Sequence, residues 1–189
     1  YTASVLAGWR EEGDEERLGK VGRDLERVGL TWKAEARRLD DAQVQIRVGR
    51  LPHPKKGGAR DLVDIADVGF GVSQTLPIIV ALHKARPGQL VYLEQPEIHL
   101  HPRAQVAMAE VLIEAAERGV RVVAETHSRL LLQGLQTVVA ERALKDLVRL
   151  HWFQRDKDGA TRVTPATLDE YGRFGDWPED FDDVSLDAQ

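Results

Sequence analysis

The sequence predicts an α/β fold with a mostly parallel sheet and a small antiparallel piece, and three observations carry that prediction. Four hydrophobic residues run into a carboxylate and a proline turn at Leu90-Val91-Tyr92-Leu93-Glu94-Gln95-Pro96-Glu97. A second apolar run, Val120 to Ala124, leads into Thr126-His127-Ser128, and a helical pattern opened by Pro102 and closed by Gly119 lies between the two. Strand, helix, strand, helix in that order implies a right-handed parallel unit, and such sheets bind ligands outside the carboxyl ends of their strands.

At 189 residues the chain can hold one core, or a core with a small appendage, since single domains commonly run to roughly 100–200 residues. The absence of cysteine removes disulfide frameworks and thiolate metal sites, and fits a reducing compartment. No apolar run approaches the roughly 18 residues of a membrane helix, and the residues after Tyr1 lack the basic-then-apolar layout of a secretory signal. A cytoplasmic protein with no membrane partner is therefore expected. The net charge of −5 is uneven, because eight acids and Arg173 give Leu168 to Gln189 a charge of −7 and leave +2 for the remainder.

From Asp14 to Val28, Leu18, Val21, Leu25 and Val28 recur at three- and four-residue steps, the period of an amphipathic helix, and Gly29 ends it. Val44-Gln45-Ile46-Arg47-Val48 alternates with period two, and its expected partner is Leu62 to Ile65 across a proline- and glycine-containing loop. Arg47, Arg50, Lys55, Lys56 and Arg60 surround His53 in that loop with no acid between them. Such a cluster can touch phosphate backbones, but the turn formers Pro52, Pro54, Gly57 and Gly58 favour a solvated hairpin tip. From Thr75, Leu76-Pro77-Ile78-Ile79-Val80-Ala81-Leu82 is apolar nearly all round, which predicts a deeply buried helix with proline in its first turn and Ser73 or Thr75 as cap.

Leu90 to Leu93 has the continuous apolar character of a parallel strand covered on both faces. The following helix aligns Val106, Ala109, Ile113 and Ala116, with proline first and glycine last. After the strand Val120 to Ala124, Ser128 is placed to cap a helix carrying Leu131, Leu132, Leu135, Val138 and Val139 toward the core. Leu147 to Phe153 and Thr161 to Val163 bracket Asp156-Lys157-Asp158-Gly159, a hairpin signal. The end of the chain reads as an extended acidic tail pinned by Phe174, Trp177 and Phe181. Three divisions follow: residues 1–59 with a helix and antiparallel strands, 60–155 with the core, and 156–189 with a hairpin and tail.

Glu94 is the strongest candidate for chemistry. A carboxylate at a buried strand's end is costly unless it meets a cation or donors, so it invites a magnesium ion. The plain alternative is a strand-end acid paired with an arginine. Gly69-Phe70-Gly71-Val72-Ser73-Gln74-Thr75 is a glycine-containing turn that opens a helix, where N–H groups can meet phosphate. The sequence has no G-x-x-x-x-G-K-[ST] loop to cradle phosphates; Gly19-Lys20-Val21-Gly22 has neither the spacing nor the hydroxyl. The chain is therefore expected to be part of a nucleotide site.

Leu90 to Pro102 resembles the Walker B strand and following loop of ABC-type ATPases, in the form used by their SMC-like and OLD-like branch. Ala124-Glu125-Thr126-His127-Ser128 resembles the switch-histidine loop of that branch, and Asp67 to Gln74 resembles its signature loop. The segment around Trp177-Pro178 is similar to the C-terminal segment of an uncharacterised AAA/ABC-like ATPase group of bacteria. The resemblance spans roughly Arg60 to Phe181, and three blocks in order make it specific. It implies a partial P-loop NTPase core and the cofactors ATP and Mg2+. Glu94 would organise the metal, His127 would contact the γ-phosphate, and Gly71, Ser73 and Gln74 would reach a nucleotide held by a second subunit in a head-to-tail homodimer.

Two departures qualify those roles. Gln95 stands where ABC-type ATPases place a glutamate base, and an amide can orient a water but accepts no proton at neutral pH. Turnover should be slow, unless Glu97 substitutes. The phosphate loop, which precedes these blocks in the family, must come from further sequence or a partner, so the chain should be inactive alone. DNA or a nuclease partner, in repair or phage defence, fits the resemblance. Two other readings stand beside it: a catalytically degenerate clamp or binding module, and a zinc hydrolase built from His99, His101 and His127 with Glu94 or Glu97.

Overall fold

The computed structural model describes residues 1–40, 42–53, 58 and 61–174. Lys55, Lys56 and Arg60 of the basic loop, and Trp177 and Phe181 of the tail, lie outside the described residues. The chain divides into two compact units, Tyr1–Gly134 and Leu135–Gln189.

The first unit opens with two helices, α1 (Thr2–Glu11) and α2 (Glu15–Arg27). The Asp14 carboxylate accepts the Arg17 N–H at 3.0 Å to cap α2, acids fill its first turn, and Gly29 takes φ +71° just past its end. Those are the expected start and stop chemistries. Val21, Leu25 and Val28 are buried, and α2 packs on the helix α3 (Phe70–Lys84).

A three-stranded antiparallel sheet follows in the order β1 (Ala34–Arg38), β2 (Val44–Gly49), β3 (Leu62–Asp64). The partnership of β2 with β3 is the one that alternation predicts, with Arg47 opposite Asp64 and Gly49 opposite Leu62. Neither α1 nor β1 is evident in the sequence. The strand Ala-Glu-Ala-Arg-Arg has no β-branched or aromatic residue, and it forms because Ala34 and Ala36 find Val48 and Ile46 across the ladder.

Helix α3 starts five residues before the expected Thr75, with Gly69 as its cap residue. Pro77 therefore lies inside the helix, not in its first turn, and neither Ser73 nor Thr75 caps it. Ser73 instead turns its hydroxyl back to donate to the Phe70 carbonyl at 3.0 Å. The missing N–H of Pro77 leaves the Ser73 carbonyl without its i+4 donor. The buried face is Thr75, Leu76, Ile79, Val80 and Leu82.

Strands β4 (Leu90–Glu94) and β5 (Arg121–Glu125) pair in parallel, Leu90 with Arg121 through Glu94 with Glu125, joined by helix α4 (Pro102–Glu117). Of β4 only Leu93 is buried, while Leu90 and Tyr92 are 60% and 59% exposed, as is Val123 of β5 at 49%. One face of this parallel pair is thus open, contrary to the expectation of cover on both. On α4 the buried residues are Ala104, Met108, Ala109, Val111, Leu112, Ile113 and Ala115, whereas Val106 faces out. The helix α5 (Arg129–Arg142) begins after Ser128, whose Oγ accepts the Leu131 N–H at 3.1 Å, the predicted cap. Gly134 lets α5 lie against α4, since a Cβ there would sit 2.7 Å from the Val106 carbonyl oxygen.

In the second unit β6 (Arg149–Arg155) and β7 (Thr161–Thr167) form the expected hairpin. Gly159 supplies φ +86° in its turn. No helix among the described residues is long and apolar enough to cross a membrane.

Candidate nucleotide-site elements

The in-register parallel pairing sets the last residues of two strands side by side, so Glu94 and Glu125 are neighbours at one sheet end. Both side chains are exposed. Tyr92 donates its hydroxyl hydrogen to Glu125 at 3.1 Å, and that bond, followed by the charge of Glu125, raises the Tyr92 pKa above its ordinary 10.0. Glu125 did not stand out in the sequence as a site residue. The register of two strands that each end in Glu was the signal for it.

Beyond Glu94 the backbone turns sharply. Gln95 continues the ladder by donating its N–H to the Glu125 carbonyl at 2.8 Å, then takes φ +46° immediately before Pro96. A non-glycine residue in the left-handed region costs about 1–2 kcal/mol, and a following proline restricts it further toward extended backbone. His99 is left-handed as well, at φ +66°. Between them the Ile98 N–H meets the Gln95 carbonyl and the Leu100 N–H meets the Glu97 carbonyl, each at 3.0 Å. This double turn buries Glu97, whose carboxylate receives the Thr126 hydroxyl at 2.6 Å. Strain of this kind concentrates at functional sites.

The loop after β5 holds His127 with its imidazole 75% exposed and Nε2 3.9 Å from a Glu125 oxygen. An open cleft of about 470 Å³ is lined by Gln95, Glu97, His99, Gln105, His127 and Ser128, among others. The structure therefore brings Gln95 and His127 to one cleft. Glu94 does not line it; by strand alternation it shares the open sheet face with Tyr92.

The start of α3 approaches the same loop. A Cβ on Gly71 would lie 3.6 Å from the His99 carbonyl oxygen, and the Phe70 ring sits 5.8 Å from that of His99. Gln74 is exposed on this turn, and Ser73 spends its hydroxyl on its own helix. The histidines do not converge as the zinc reading requires. His101 caps α4 by accepting the Arg103 N–H, and among the described residues no three His, Cys, Asp or Glu side chains are placed to share a metal ion. Glu94 and Glu125, two exposed carboxylates paired in register at the strand ends, are of the hard-oxygen type that suits magnesium.

A family model described as "AAA domain, putative AbiEii toxin, Type IV TA system" matches residues 8–133. A second, "Protein of unknown function (DUF3696)", matches residues 145–186. The Old nuclease of Escherichia phage P2 is 26% identical in a 93-residue alignment that covers 44% of this chain and 16% of that protein. The chain thus spans about a sixth of this curated relative. Among solved structures, one described as "Structural biochemistry of ATP-driven dimerization and DNA stimulated activation of SMC ATPases" aligns with a TM-score of 0.55 at 12% identity, covering 87% of this chain and 90% of that one. The SMC head bound to the C-winged helix domain of ScpA aligns with a TM-score of 0.56 at 11% identity, covering 89% and 49%. At those identities the likeness shows a shared fold.

Proposed function

Because the chain belongs to this AAA-domain family of SMC-like and OLD-like ATPases, we propose that it supplies the Walker B, switch-histidine and signature elements of an ABC-like ATPase. A P-loop from further sequence or a partner completes the site. The observation that carries the reading is the register of β4 on β5, which sets Glu94 beside Glu125 and brings the Gln95 and His127 loops to the same sheet end.

In this reading Glu94, with Glu125 beside it, holds a magnesium ion through carboxylate oxygens. When bound, that ion supplies neutralisation of the triphosphate charge, on which phosphoryl transfer depends. Gln95, held in its strained turn, presents an amide that orients the attacking water without taking its proton. The exposed imidazole of His127 donates a hydrogen bond to the γ-phosphate. Gly71, Ser73 and Gln74, at the exposed start of α3, serve a nucleotide held by a second copy in a head-to-tail homodimer. Phe70 and Ile98, 71% and 48% exposed near His99, are the apolar surface that such a dimer covers. The proposed reaction draws on cytoplasmic ATP. DNA or a nuclease is the proposed partner, in repair or phage defence, by analogy with the DNA-stimulated SMC ATPases and the Old nuclease.

The test is a Glu94→Gln substitution in the ATPase assembled with its P-loop. The expected result is retained ATP binding with hydrolysis lost; unchanged hydrolysis removes the role given to Glu94. Gln95 favours a second reading, a degenerate clamp that binds without turnover. A wild-type assembly that binds ATP and never hydrolyses it selects that one.

A further inference from the structure

Glu97 is 7% exposed, and one of its oxygens receives the Thr126 hydroxyl at 2.6 Å. The same hydroxyl oxygen accepts the Ser128 N–H at 3.0 Å. Ser128 in turn donates its own hydroxyl to Gln105 Oε1 at 2.7 Å, and Gln105 Nε2 donates to the Leu100 carbonyl at 3.0 Å. His127 lies between two residues whose side chains are both tied down, yet its own ring is 75% exposed. A fixed backbone and an exposed imidazole are the arrangement of a group aimed at something outside the fold.

We propose that Glu97 is a positioning residue that fixes His127 through Thr126, coupling the turn after β4 to the histidine loop. The inference rests on the ATPase reading and adds to it a residue that touches no substrate. A purely structural tie does not require an acid here. The second oxygen, Oε2, is buried with no donor among the described residues, and a buried polar group left so costs stability, more when charged. A packed apolar side chain avoids that cost, and an amide avoids its charge. The two left-handed residues, Gln95 and His99, bracket Glu97 and turn it inward, a second local cost. What the carboxylate gives in exchange is a short, charge-assisted bond of roughly twice the strength of a neutral one, placed one residue before His127.

The experiment compares Glu97→Leu, Glu97→Gln and the near-isosteric Thr126→Val, each checked for folding by circular dichroism. In this chain, amide hydrogen exchange at His127 and Ser128 is expected to speed up about tenfold in Glu97→Leu, the loss of one hydrogen bond to a charged group, and by more at Ser128 in Thr126→Val, which also removes the acceptor of the Ser128 N–H. Glu97→Gln, which keeps an acceptor for Thr126, should stay within about threefold of wild type, since neutral acceptors are weaker. In the ATPase assembled with its P-loop, kcat should fall about tenfold in Glu97→Leu with KM nearly unchanged, and Glu97→Gln should restore most of it. Unchanged exchange at His127 and Ser128 in Glu97→Leu overturns the inference, whatever Thr126→Val does. So does a Glu97→Gln protein as inactive as Glu97→Leu, because the carboxylate would then take the water's proton itself. A wild-type assembly without turnover refutes the ATPase reading alone, and exchange then decides the tie between Glu97 and His127.

Discussion

Gly22 of α2 packs backbone to backbone against Trp32: a Cβ at position 22 would sit 2.3 Å from the Trp32 carbonyl oxygen. Three residues earlier on the same helix, a Cβ on Gly19 would meet only the flexible Arg23 guanidinium, at 3.5 Å. Glycine is needed at the first position and is merely permitted at the second.

Alanine should therefore act with opposite sign at the two. Gly22→Ala is expected to destabilise by about 1–3 kcal/mol through overpacking, despite the gain in helix propensity. Gly19→Ala should stabilise by roughly 0.5–1 kcal/mol. Urea unfolding of the two variants with unchanged m-values checks both signs.

Asp24, 6% exposed, is held by His83 Nε2 at 2.7 Å and by Arg27 at 3.6 Å. Leaving a buried group without its hydrogen-bond partner typically costs about 1–3 kcal/mol. Since Arg27 remains, His83→Ala should fall within about 1–3 kcal/mol. Asp24→Ala in that background should add little, and a double-mutant cycle by thermal or chemical denaturation reads the coupling.

Burial of Glu35 opposes its charge, but the Arg10 hydrogen bond and the charges of Lys33 and Arg10 outweigh that and hold its pKa below the ordinary 4.5. A depressed folded pKa contributes stability that is present above pH 4.5 and lost as pH falls through the lowered value. Glu35→Gln should remove that part of the acid sensitivity, while other carboxylates keep theirs. The pair is partly exposed, so the difference is expected within about 1 kcal/mol. Denaturation curves from pH 7 to pH 3 at low salt test it.

Gln95→Glu puts a proton acceptor where the strained turn already points into the cleft. In the assembled ATPase it should raise kcat by about 100-fold, the lower range for a general base. An unchanged kcat shows that proton transfer does not limit the reaction. Glu94→Gln combined with it should hydrolyse nothing.

The strand and helix order around the site was legible because it is written in local chemistry. Pro102 and Gly119 mark the ends of α4, and Ser128 caps α5 through a bond to Leu131 three positions away. The boundary of α3 was not legible. Pro77 inside an apolar run suggested a first turn, and only packing of the preceding turn near Leu30 and His99 extends the helix back to Phe70.

By itself, then, the sequence determined the elements that short-range hydrogen bonds and periodicity specify: the two parallel strands, the helix between them, and the carboxylate and imidazole at their ends. Tertiary structure alone decided which surfaces are wet. Leu90 and Tyr92 look like core residues and lie exposed, while Glu97, an acid in a turn, is buried against Thr126. Burial depends on what arrives from distant sequence to cover a face, and register on which strand lies alongside. Neither is encoded within the few residues that a pattern spans.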